Sequence, residues 1–180
     1  MTAHELKDQG LRHFRAERLA EAATAFTEAQ RQFEAAGDRA AAAEMRNNLC
    51  VIHMAQEDWP AAIAVVAETP ETFRELGDAM REAQALANLA AAHDGAGHID
   101  QAAELYVQAI DRFGQLGERD TRAACFKKLS NLQVKQGNKL QALASMRSGL
   151  NLSTELSAQE KVLKEALDKA TRLMGGNLPL

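Results

Sequence analysis

The chain has 180 residues and a formal net charge of −4, enough for one folded unit and too acidic overall for a dedicated nucleic-acid binder. Hydrophobic residues make up 46% and charged residues 26%, an ordinary balance for a soluble globular protein, while aromatics fall to 4% and alanine fills the space. No segment has the apolar length needed to span a bilayer. The first residues, MTAHELKDQGLRHF, lack an apolar signal core, so export is not expected and a cytoplasmic location is.

Taken in chain order, the sequence repeats every 40 residues. Gly37-Asp38 returns as Gly77-Asp78 and Gly117-Glu118. Phe33, Phe73 and Phe113 share one register, as do Ala22, Ala62, Ala102 and Ala142, and His13, His53, His93 with Gln133 in the fourth place. A period of this size sustained over four units predicts stacked repeats, each burying its apolar face only against its neighbours.

The first unit, about 1–37, carries Leu6, Gly10 and His13, then Ala22, Phe26 and Ala29. The second, 38–77, carries Leu49, Cys50 and His53, a Glu57-Asp58 break, then Trp59, Ala62 and Val66. Pro70 falls inside its second helical pattern, which predicts a kink or break near Glu68–Thr69 on the outside of the stack, restarted by Thr69-Pro70-Glu71. The third, 78–117, is the clearest. Met80, Ala83, Leu86, Ala87 and Ala90 form one helical stripe, and Ile99, Ala102, Leu105, Tyr106, Ala109, Ile110 and Phe113 form another, across the break Asp94-Gly95-Ala96-Gly97-His98. The fourth, 118–152, has Phe126, Leu129, Ser130 and Gln133, then Gly137, Ala142 and Met146. Glycines at the breaks supply left-handed helix ends, and Asp58 and Asn138 are suitable caps for the next helix. No stretch alternates with period two, so no sheet is expected. A final helix is predicted over 153–174, capping the stack with a polar outer face of Lys161, Lys164, Glu165, Asp168, Lys169 and Arg172, and residues 175–180 form a mobile tail.

These residues resemble the tetratricopeptide pattern, in which the first helix carries Leu-Gly and an aromatic and the second carries Ala-x3-Phe. The likeness covers residues 1–151 and is to the variant with repeats of roughly 40 residues, with histidine in place of the first-helix aromatic and no terminal proline. It implies an all-α fold, a right-handed α-α superhelix (solenoid) of four helical hairpins plus a C-terminal capping helix, forming one domain over 1–174. It also implies that the first helices line a concave groove. The rows of that groove would run His4, Glu44, Gln84, Ala124; Lys7, Asn47, Ala87, Lys127; and Asp8, Asn48, Asn88, Lys128. Asparagine offers both donor and acceptor, so Asn48 and Asn88 could pair with the backbone of an extended peptide. The peptide-binding set expected on this basis is Lys7, Asn47, Asn48, Asn88, Lys127, Lys128, Asn131 and Lys135.

No catalytic residues emerge. The chain has no glycine-rich phosphate loop, no nucleophile elbow and no histidine pair at i, i+4. Three histidines on one register cannot converge on one ion, because zinc holds imidazole nitrogen at about 2.0–2.1 Å while packed helices lie roughly 8–10 Å apart. They are expected to fill interhelical space, and neither a metal nor a cofactor is expected. Cys50 and Cys125 lie in different repeats and are read as buried thiols. The expected function is a non-enzymatic adaptor that binds a peptide or helix of another protein, an acidic one where the fourth unit is basic through Arg119, Arg122, Lys127, Lys128, Lys135 and Lys139. A self-associating scaffold module, forming a homo-oligomer, is the rival reading, and a peptide-sensing regulator the third. Neither nucleic acid nor membrane is an expected partner.

Overall fold

The computed structural model describes residues 1–173; the expected tail at 175–180 and the last residue of the expected terminal helix, Met174, lie outside them. The described residues are all-α with no strand. The first compact unit, Met1–Gly97, contains α1 (Ala3–Arg15), α2 (Leu19–Ala35), α3 (Arg39–Ala55), α4 (Trp59–Val66), α5 (Thr69–Glu75) and α6 (Ala79–Gly95). The second begins at His98 and contains α7 (Ile99–Leu116), α8 (Arg119–Lys135), α9 (Lys139–Leu152) and α10 (Ala158–Leu173).

One device, used repeatedly, ends these helices. Five glycines (37, 77, 97, 117 and 137) take positive φ, between 72° and 81°. Each of Gly37, Gly77 and Gly117 turns the chain so that the next N–H reaches back to the phenylalanine carbonyl: Asp38 to Phe33 at 2.9 Å, Asp78 to Phe73 at 2.9 Å, Glu118 to Phe113 at 3.0 Å. At the other breaks the acceptor is the histidine register, with Arg18 N–H on the His13 carbonyl, Asp58 on His53 and Asn138 on Gln133. Glu17 and Glu57 occupy the left-handed position there, at φ 56° and 58°, where Gly97 and Gly137 stand in the later repeats. The side chains of Asp38, Asp58 and Asp78 then accept from the N–H groups of Ala41, Ala61 and Arg81, starting α3, α4 and α6. Asn138 stands at the start of α9 without a side-chain cap bond.

Packing follows the same register. Ala22, Ala62, Ala102 and Ala142 are buried, and so are Phe33, Phe73 and Phe113. The position of Gly10, Cys50, Ala90 and Ser130 is occupied throughout by a small buried residue. The reason is visible at Gly10, where a Cβ would sit 2.5 Å from the buried Phe26 ring. Gly95 serves the same end for Trp59, whose ring lies 2.3 Å from where its Cβ would be. Ser130 satisfies its buried hydroxyl by donating to the Ala142 carbonyl at 2.8 Å.

The second hairpin breaks where Pro70 predicts, between Val66 and Thr69. The expected placement on the outside is corrected: Thr69 and Pro70 are both buried, and the Thr69 hydroxyl caps nothing. Removing the proline-blocked hydrogen bond by a two-residue break lets α4 and α5 each pack on α3 and α6.

The terminal helix departs from expectation twice. It starts at Ala158 rather than 153, because Ser153 folds its hydroxyl back onto the Gly149 carbonyl and Thr154 bonds the Asp120 carboxylate through its N–H and hydroxyl. Ser157 and Glu160 form the reciprocal cap that begins the helix. Its outer face is polar only along one side, where Lys161, Glu165, Lys169 and Arg172 are exposed as expected. Glu160, Lys164 and Asp168 turn inward beside the buried Leu167 and Thr171, while Val162, Leu163, Ala166, Ala170 and Leu173 are exposed. Ion pairs decide this orientation: Glu160 meets Lys127 of α8, and Asp168 meets Arg147 Nε of α9 at 2.7 Å.

Candidate peptide-binding surfaces

In the first unit, α1, α3 and α6 bring four of the expected binding residues onto a half-buried polar face. Lys7 Nζ lies 2.6 Å from Glu44 Oε1, and Arg81 reaches the other oxygen of the same carboxylate at 3.9 Å. Lys7, Glu44 and Arg81 are thus one chain of alternating charge. Partial exposure of each partner keeps such pairs to roughly 1 kcal/mol or less. Arg81 is also held by Asp78 at 2.6 Å and stacks 5.1 Å from the centre of the Phe73 ring. Asn88 Nδ2 donates to Asn47 Oδ1 at 2.9 Å, and Asn48 is half-buried on the next position of α3.

These pairings cut across the rows read from a strict 40-residue register. Lys7 meets Glu44 rather than Asn47, and Asn88 meets Asn47 rather than Asn48, because long side chains on neighbouring helices reach along the helix as well as across it. Glu44 and Arg81 complete the polar face without having been singled out as binding residues. Their signal was present: Lys7, Glu44 and Arg81 stand at equal spacings with alternating sign. His4, placed in the same rows by register, instead packs its ring edge-on against Phe33, 5.1 Å between centroids.

In the second unit, α8 carries the other four. Lys128, Asn131 and Lys135 are exposed, and Lys127 is paired with Glu160. That contact and the Ser157 cap hold the Glu160 carboxyl down to about 2. Arg122 lies over the Phe126 ring at 5.6 Å. Part of the basic character of α8 is therefore spent within the unit.

His13 and His53 are half-buried, and Nδ1 of each is enclosed without a hydrogen-bond partner, while His13 Nε2 sits 3.3 Å from Gln9 Nε2. Among the described residues no three His, Cys, Asp or Glu side chains gather as a metal site would require. Cys50 and Cys125 are free, buried thiols; burial pushes them up to about 12 and about 11. No helix among the described residues is long and apolar enough to cross a membrane.

Helical hairpins joined by tight turns, with a small residue in each first helix and a polar face on α1, α3 and α6, define a helical-repeat fold. Residues 40–115 match the model of the tetratricopeptide repeat family. Among solved structures, BtubC (BKLC) from P. vanneervenii superposes with a TM-score of 0.74 at 18% identity, over 99% of this chain and 66% of that one. This likeness shows the fold, and the chain spans about two thirds of that protein's length. None of the curated proteins matches the sequence.

Proposed function

We propose that this protein is a non-enzymatic adaptor that holds an extended peptide or a helix of another protein against the first-helix face of its repeats. Tetratricopeptide repeats generally mediate protein–protein interaction, and residues 40–115 match that family's model. The observation that carries the reading for this chain is the half-buried polar face of Lys7, Glu44, Asn47, Asn48, Arg81 and Asn88, assembled from three successive first helices. A peptide backbone needs donors and acceptors at regular intervals, and the asparagine cluster supplies both. Within the second unit, exposed Lys128 and Lys135 of α8 form a separate positive surface suited to an acidic segment.

The test is capture from native lysate by the wild type and by N48A/N88A, followed by titration of the captured partner's segment. Neutral hydrogen bonds contribute about 0.5–1.5 kcal/mol each, so the double variant should bind roughly 5- to 100-fold more weakly. A partner bound equally well by both proteins would place the site elsewhere.

A further inference from the structure

Beside the exposed charged edge of Lys161, Glu165, Lys169 and Arg172, the outward side of α10 carries an apolar stripe. Val162 is 68% exposed, Leu163 39% and Leu173 81%, with Ala166 and Ala170 exposed between them. At 100° per residue these five fall within one arc of about 100°. The helix is anchored by its opposite, charged side through Lys127–Glu160 and Arg147–Asp168, so rotating the stripe inward would break both ion pairs. A stripe held outward in this way needs a partner of matching shape.

We propose that the partner is a second copy of the same helix, packed antiparallel. The residue order favours it. Large residues stand at the two ends of the stripe and alanines in the middle, so an antiparallel pair sets Leu163 against Leu173 of the other copy and Ala166 against Ala170. The alanines permit close approach of the two backbones. Charge agrees with this register. Glu165 and Lys169 are exposed along one edge of the stripe, and in the antiparallel arrangement each Glu165 faces the other copy's Lys169, twice by symmetry. A parallel pair would put these charged edges on opposite sides of the contact and gain neither attraction. The 16 residues of α10 extend about 24 Å, which covers less than the roughly 800 Å² per partner of a standard stable interface. The association is accordingly weak and reversible. It involves different residues from the proposed peptide-binding face, so either proposal can fail alone.

Sedimentation equilibrium of the full chain, from about 10 μM to about 1 mM, should show the weight-average mass rising from 19.6 kDa toward twice that value. V162Q/L173Q should remain monomeric throughout, with the melting temperature of the dilute protein unchanged because both side chains are exposed in the monomer. E165K and K169E should each weaken association by about tenfold, replacing two attractions with two repulsions, and E165K/K169E should restore it. A chain that stays monomeric at about 1 mM would overturn the proposal. So would association that ignores V162Q/L173Q, or a charge swap that fails to rescue.

Discussion

Asn88 donates a side-chain hydrogen bond to Asn47 across α6 and α3, at 2.9 Å. The bond uses one donor of Asn88 and one lone pair of Asn47. It leaves the amide group of Asn47 and the oxygen of Asn88 available to a ligand, with their orientation fixed beforehand. If a peptide is held here, removal of either asparagine also frees the other to rotate. N47A and N88A should therefore be non-additive in binding, coupled by about 0.5–1.5 kcal/mol, while N48A should add independently to either. Titration of one peptide against the single and double variants measures this. Strict additivity of N47A and N88A would show that the pair does not act as a unit in recognition.

Two helix ends carry the wrong residue for their backbone. Glu17 and Glu57 sit at φ 56° and 58°, in the left-handed region that glycine occupies at the equivalent Gly97 and Gly137. Relieving this strain at an exposed position contributes roughly 0.5–1 kcal/mol. E17G and E57G should each raise the melting temperature by about 2–4 °C, and G97A should lower it. Thermal unfolding by circular dichroism decides; a fall in both glutamate variants would mean that the carboxylates make contributions larger than the strain.

How much of this could be read beforehand depended on whether a residue acts locally. Gly37, Gly77 and Gly117, the aspartate caps and the break before Pro70 obey backbone rules that need no neighbour, and they stand where the repeat puts them. The start of α10 obeys such a rule too: Ser157-x-x-Glu160 is a capping box, but Ser153-Thr154 offered a competing start four residues earlier. What the sequence could not supply was the rotation of α10, which follows from Lys127 and Arg147 on other helices. The side-chain pairs of the polar face were equally hidden, since register names the residues on a face but not how far along it each side chain reaches.

The two thiols should be nearly inert in the folded protein. Burial raises Cys50 from 9.0 to about 12 and Cys125 to about 11. At pH 8 the thiolate fraction of Cys50 is thereby reduced about a thousandfold, before any steric protection. Because both groups are held protonated in the native state, they favour folding below pH 9 and cost stability as pH climbs from 9 toward 12. Labelling with a thiol-specific disulfide reagent should be immediate in denaturant and slow in buffer. Fast native labelling of Cys50 would show that α3 opens readily.

Acid should act first on α10. Glu160 is held at about 2 chiefly by Lys127, then by the Ser157 N–H and hydroxyl, and Asp168 is lowered by Arg147 and then Lys164. A carboxyl whose native value lies below its unfolded value of 4.5 stabilises the fold fully above that value, and the contribution disappears as pH falls from 4.5 toward 2. Protonation removes the two charged contacts that anchor α10, whose remaining attachment is the buried Leu167 and Thr171. Amide hydrogen exchange should therefore accelerate in α10 between pH 4.5 and 3 relative to α8 and α9, once the intrinsic pH dependence of exchange is divided out. E160Q/D168N should show the same enhanced exchange already at pH 7, with helices α1 to α6 unchanged. Raising salt should have the same sense in the wild type, because both pairs are partly exposed and screened over about 8 Å at physiological ionic strength. Equal protection of α10 in the wild type and E160Q/D168N at pH 7 would mean that Leu167 and Thr171 alone fix the helix, and that the ion pairs set its orientation without holding it in place.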